Sequence, residues 1–180
     1  GTGVPRVRPY HLLPDGSRMV YAADQEVPGR MDRWSVPVAG PSSAGAKLNQ
    51  GVPSGSVYAY WVPTLDSKLV VFVGTETVAA SGALHARPSD GAATQIDLGC
   101  DFPHGAPIAG SGGVFANCIR VGEPTRELHH FRLSASPLFG LVTDVTPLDD
   151  LGLPVKLLAG PTRAGGVLVA HDSPAPGTFE

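Results

Sequence analysis

Four segments of this chain are variations on one pattern. Residues 17–24 (SRMVYAAD), 67–74 (SKLVVFVG), 112–119 (GGVFANCI) and 165–172 (GGVLVAHD) are apolar and β-rich, follow turn signals of Pro, Asp or Gly, and recur at about 50, 45 and 53 residues. Such a period marks a propeller or solenoid, built from small units that cannot bury an apolar face alone and must stack. The first and last copies match at a shift of 148: Asp24 falls on Asp172, Pro28 on Pro176, Gly29 on Gly177 and Met31 on Phe179. They read as two copies of one hairpin, with VPG and APG in the turn.

Each unit divides into four short strands, the content of one propeller blade. In the first these are RVRPYHLL, RMVYAAD, MDRWSVPVA and AKLNQ; in the second SVYAYWVPT, KLVVFVGT, GALHARPS and TQIDLG; in the third APIAGS, GVFANCI, ELHHFRLS and LVTDVTPL. The fourth holds LPVKLLAGP and GGVLVAHD and stops at Glu180, one or two residues into a third strand. The chain is therefore expected to be a single all-β propeller-type domain over 1–180, an incomplete propeller of four-stranded antiparallel blades. Its blade-like units cover about 5–51, 56–99 and 105–148, with an incomplete one at 153–180. The 23 glycines and 18 prolines suit many short strands joined by tight turns.

The residues Pro14 to Gln50, PDGSRMVYAADQEVPGRMDRWSVPVAGPSSAGAKLNQ, resemble the repeat of TolB-like β-propellers. In that repeat a Pro-Asp-Gly turn precedes an rVvYrAD-type strand, then an ELYsVpl.GG strand and a closing kLn. The motif is carried well by the first unit, partly by the fourth and weakly by the two between, where PTLDSKLVVF alters the turn and GSGGVFANCIR replaces it. The resemblance implies a propeller acting as a binding scaffold or accessory domain, exported to the periplasm or outside a bacterial cell.

Three and a half blades do not close a ring, because propellers contain four to eight blades and leave few exposed edges. Polypeptide beyond Gly1 and Glu180, a partner chain, or a second copy giving a ring of seven or eight would supply the rest. The expected partner is thus a protein, met through exposed ends, with Phe179 and Glu180 as the candidate interaction edge.

A net charge of −3 with scattered Lys and Arg gives no basic field for nucleic acid, and no apolar run is long enough for a membrane-spanning helix. Cys100 and Cys118 fit no zinc or redox spacing, and whether they pair is left open. Neighbouring side chains on a strand point to opposite faces, so His129 and His130 do not converge on one ion. No ligand series for calcium and no G-x-S-x-G elbow is present. Asp149 with Asp150, and Asp24 with Glu26, read better as solvated loop acids than as a catalytic pair, and DVTPLDDLG also reads as a turn whose Asp side chains cap backbone N–H groups. No metal, cofactor or catalytic residue is assigned.

Tyr58 and Tyr60 share one face of a strand, out of phase with Trp61, and are either packed between sheets or form a ligand-facing shelf. Trp34 is expected in the core between blades. The leading expectation is a non-enzymatic binding or assembly module. The alternative is the substrate-gating propeller of a larger prolyl-oligopeptidase-like hydrolase, and a weaker option is a sugar-binding propeller using Tyr58 and Tyr60.

Overall fold

The structure, a computed structural model, describes residues 7–50, 60–74, 82–101, 107–110, 113–118, 127–133, 142–147, 155–161 and 167–171. Their strands form three four-stranded antiparallel sheets and one two-stranded sheet, each a meander in chain order. Blade 1 holds β1 (Val7–Leu12), β2 (Arg18–Ala23), β3 (Asp32–Pro37) and β4 (Ala46–Lys47). Blade 2 holds β5 (Trp61–Pro63), β6 (Leu69–Gly74), β7 (Ala83–Pro88) and β8 (Ile96–Asp101). Blade 3 holds β9 (Ile108–Gly110), β10 (Gly113–Cys118), β11 (Glu127–Leu133) and β12 (Val142–Pro147). The last sheet pairs β13 (Val155–Pro161) with β14 (Val167–His171). The first strands β5, β9 and β13 approach one another in sequence, as the inner strands of a propeller do. The chain is an incomplete β-propeller.

Blades 1 and 2 superimpose in sequence at a shift of 51. That shift carries β2 onto β6 and β3 onto β7 without remainder. It also carries the turns. Gly16 N–H donates to Leu13 O and Leu13 N–H to Arg18 O; Ser67 N–H donates to Thr64 O and Thr64 N–H to Leu69 O. Asp15 Oδ1 accepts from Ser17 N–H as Asp66 Oδ1 accepts from Lys68 N–H. The altered turn LDSK keeps the geometry of PDGS, with Ser67 at φ +62° where Gly16 has +69°. The two turns are joined, because Asp15 N–H donates to Ser67 Oγ at 3.0 Å. Farther out, Gly40 and Gly91 occupy equivalent left-handed positions, and a Cβ on Gly91 would lie 2.5 Å from that of Ala46. Only glycine allows that approach between blades.

Blade 2 is apolar on both faces because both are covered, and the period of two divides its side chains between two cores. Val70 and Phe72 join Trp61 against Leu13, Val20 and Leu48 of blade 1. Val71, Val73, Leu84, Ala86 and Leu98 pack against Val114, Ala116 and Phe131 of blade 3. Each such aliphatic or aromatic side chain contributes on the order of 1.5–3 kcal/mol when fully buried. Cys100, at this second interface, is disulfide-bonded, and the chain's other cysteine is Cys118 at the end of β10.

Candidate interaction face

Each blade has a rear face, turned toward the preceding blade, and a forward face, turned toward the next. Cross-strand register defines the rear face of blade 1. Tyr10 lies opposite Tyr21 and Leu12 opposite Met19; Tyr21 lies opposite Trp34 and Met19 opposite Val36; Trp34 lies opposite Lys47. Two rows of apolar side chains, Tyr10-Tyr21-Trp34 and Leu12-Met19-Val36, therefore cross three strands on one side of the sheet.

The equivalent rear face of blade 2 is Trp61, Phe72 and His85 in one row, and Pro63, Val70 and Arg87 in the other. All six are buried against blade 1. In blade 3 the matching positions on β10 and β11 are Val114, Ala116, His129 and Phe131, again all buried. In blade 1 Met19, Tyr21, Trp34 and Val36 are only half-buried, and Tyr10 and Leu12 are 68% and 57% exposed. The same face that is core twice in the chain is uncovered once among the described residues, and an exposed apolar patch is a mark of association.

An ion network borders this face. Lys47 Nζ lies 2.6 Å from Glu26 Oε2 and 3.0 Å from Asp32 Oδ2, and Arg30 reaches the same two oxygens at 3.2 Å. The Lys47 ammonium also stands 5.9 Å from the centre of the Trp34 ring. Asn49 donates from Nδ2 to Asp32 Oδ1 and accepts at Oδ1 from Arg33 N–H. Burial alone would raise the Asp32 carboxyl, but the Asn49 amide, Lys47 and Arg30 outweigh it and hold it below the usual carboxylate value.

The forward face of blade 1 shows how such a rear face is covered. The His11 ring packs against Trp61 at a tilt of 49° with ring centres 4.5 Å apart, and the Arg33 guanidinium lies 5.1 Å from the ring centre of Trp61 and 5.6 Å from that of Phe72. Burial pushes Arg33 down to about 9, so it remains a cation at neutral pH. From the other side, Arg87 donates to Leu48 O, Gln50 Oε1 and Gly91 O. The joint combines aliphatic packing with two buried guanidinium groups.

Among the residues singled out from sequence, Tyr60 is 47% exposed just before β5, while its out-of-phase neighbour Trp61 is the buried one. Tyr58, Asp149, Asp150, Phe179 and Glu180 lie outside the described residues. Trp34, expected within an interblade core, instead lies half-buried on the rear face, because no blade of the described chain covers it. His129 is buried beside Phe131, and His130, on the opposite face, stacks on Phe115 with ring centres 4.3 Å apart. Asp24 Oδ2 accepts from Gly29 N–H and so caps the turn that follows β2. Among the described residues no cluster of three metal-ligating side chains occurs, and no helix is long and apolar enough to cross a membrane. Sequence reasoning missed Tyr10, Leu12, Met19 and Tyr21 as a set. The signal was in the repeat, since their equivalents in the later units are interblade positions.

These features define a class, the incomplete β-propeller, here with the rear face of its first blade uncovered among the described residues. Among solved structures the chain is similar to a mutant puromycin hydrolase crystallised in complex with PGG, with a TM-score of 0.51 and 12% identity over 93% of this chain. The chain spans 25% of that protein's length, and the likeness is one of fold. No protein-family model and no curated protein matches it.

Proposed function

We propose that this chain is a non-enzymatic binding or assembly module of TolB-like type, a propeller segment that joins other blades through its ends. One observation carries this reading: among the described residues no sheet covers the rear face of blade 1, while the matching faces of blades 2 and 3 are core. A face whose equivalents are buried twice in the same chain is suited to being covered by another sheet. The partner in this reading is protein, and the setting is the periplasm or the cell exterior, where the disulfide at Cys100 would persist.

A second reading, the substrate-gating propeller of a larger prolyl-oligopeptidase-like hydrolase, draws support from the hydrolase that the fold resembles. In that case the remaining blades and the catalytic groups would belong to the same assembly.

Native mass beside denatured mass tests the leading reading. An assembly heavier than the 18.6 kDa chain supports it. A monomer that binds no apolar dye overturns it, because the rear face would then be closed. Peptide hydrolysis by an assembly with a second polypeptide would favour the hydrolase reading.

A further inference from the structure

Blades 1 and 2 turn from their first strand into their second through six residues, 13–18 between the paired Leu12 and Met19 and 64–69 between the paired Pro63 and Val70. Blade 3 uses four, 110–113 between the paired Ala109 and Val114. In the joint between blades 1 and 2 the long turn of blade 2 meets that of blade 1, and Ser67 Oγ accepts from Asp15 N–H at 3.0 Å. The Asp15 carboxyl, held below its usual value chiefly by Ser17, is lowered further by the same Ser67 hydroxyl. One hydroxyl thus serves both the amide and the carboxyl of an aspartate.

That aspartate recurs in blade 2 as Asp66, with the same turn hydrogen bonds, so its N–H is aimed across the next joint toward blade 3. Among the described residues nothing accepts from it. A recess of about 60 Å³ lies there, between Leu65, Asp66 and Leu69 of blade 2 and Gly110, Gly113 and Leu133 of blade 3. It has room for a group of a few non-hydrogen atoms. The three leucines make its wall apolar, and the two glycines put no side chain into it. Asp66 Oδ1 accepts from Thr64 Oγ1 and Lys68 N–H, whereas Oδ2 has only the exposed Lys68 Nζ, at 4.0 Å. The recess therefore offers one N–H donor and one carboxylate acceptor on an otherwise apolar wall.

We propose that this recess binds a small aliphatic alcohol, a hydroxyl flanked by one or two methyl groups as on a threonine side chain. The hydroxyl oxygen accepts from Asp66 N–H, its proton is donated to Asp66 Oδ2, and the methyl groups lie against Leu65, Leu69 and Leu133. A hydroxyl is the small group that both donates and accepts, as Ser67 does at Asp15. An alkyl group alone would leave the amide unpaired, and a carboxylate would meet the like charge of Asp66. The site belongs to the joint between blades 2 and 3 and does not depend on what covers the rear face of blade 1.

The test is titration of the full chain, followed by the amide resonance of Asp66 in proton–nitrogen NMR spectra. The probes are 2-propanol, N-acetylthreonine methylamide, and N-acetylvaline methylamide, which has the shape of the threonine probe without its hydroxyl. The expected result is a saturable shift with 2-propanol or the threonine probe, and binding of the valine probe weaker than that of the threonine probe by roughly tenfold, the worth of one charge-assisted hydrogen bond. A response to 2-propanol alone assigns a free alcohol; a response to the threonine probe assigns a threonine of a peptide. Asp66→Asn keeps the amide and an Oδ1 acceptor for the turn, and should lose most of the preference for a hydroxyl at an unchanged circular dichroism spectrum. Glycine substitutions are unsuitable, since a Cβ on Gly113 would lie 2.0 Å from Phe131 O. An Asp66 resonance unmoved by all three probes, equal binding of the threonine and valine probes, or an unchanged preference in Asp66→Asn overturns the proposal.

Discussion

Tyr21 and Phe72 occupy the same position 51 residues apart, the middle of a rear-face row on the second strand of a blade. Phe72 is fully buried and Tyr21 half-buried, and the difference is the presence of blade 1 in front of Phe72. The local sequence is similar in both, apolar, aromatic and in the same register. What differs is the neighbour, so side chains of similar character serve as core in one blade and as an available surface in the other.

Truncation should separate the two sites most sharply. Phe72→Ala empties a site between two sheets and should cost about 3–5 kcal/mol, against about 1 kcal/mol for Tyr21→Ala in dilute solution, both by denaturant unfolding. Equal costs would mean that the rear face of blade 1 is covered within a single chain.

At the next position in the pair, Arg87 corresponds to Val36. Arg87→Met removes the hydrogen bonds to Leu48 O, Gln50 Oε1 and Gly91 O and leaves those groups to find other partners, a loss of about 2–3 kcal/mol. Val36→Ala should cost about 1 kcal/mol or less. A harmless Arg87→Met would show that the joint between blades 1 and 2 depends on aliphatic packing alone.

The turns offer a smaller contrast. Gly16 and Ser67 share a left-handed conformation, and a Cβ on Gly16 meets nothing within 4 Å. Gly16→Ala should therefore carry the backbone cost alone, about 1 kcal/mol. Ser67→Ala keeps that conformation and loses the bond from Asp15 N–H, about 0.5–1.5 kcal/mol. If Gly16→Ala is neutral, the positive φ is not required for the turn.

The border of the open face should be sensitive to acid. Asp32 is held below the unfolded carboxylate value of about 3.9, so its network contributes fully above about pH 4 and is lost as pH falls through the lower folded value. Asp32→Asn should flatten the acid limb of a stability-against-pH curve while leaving the neutral region parallel to wild type. Identical acid limbs would remove Asp32 as the group responsible.

Much of the fold was legible from the repeat. The apolar runs SRMVYAAD, SKLVVFVG, GGVFANCI and GGVLVAHD each contain the second strand of a sheet, and the turn glycine Gly16 has the backbone its turn demands. These follow from local physics: alternation, β-branched side chains and left-handed turns act within a few residues. The interaction face was harder to read. Single residues such as Tyr60 and the pair at Phe179 and Glu180 drew attention, whereas the face consists of ordinary strand residues distinguished only by what lies against them.

Sequence alone determined the repeated four-strand unit, because each strand and turn is set by short-range preferences that survive even where PDGS becomes LDSK. Tertiary structure alone decided that Trp61, His85 and Arg87 are buried while Tyr10 is exposed and Trp34 and Val36 are only half-buried. The physical reason is that burial belongs to the pair of sheets and not to the strand, and identical positions diverge when one has a neighbouring blade and the other does not.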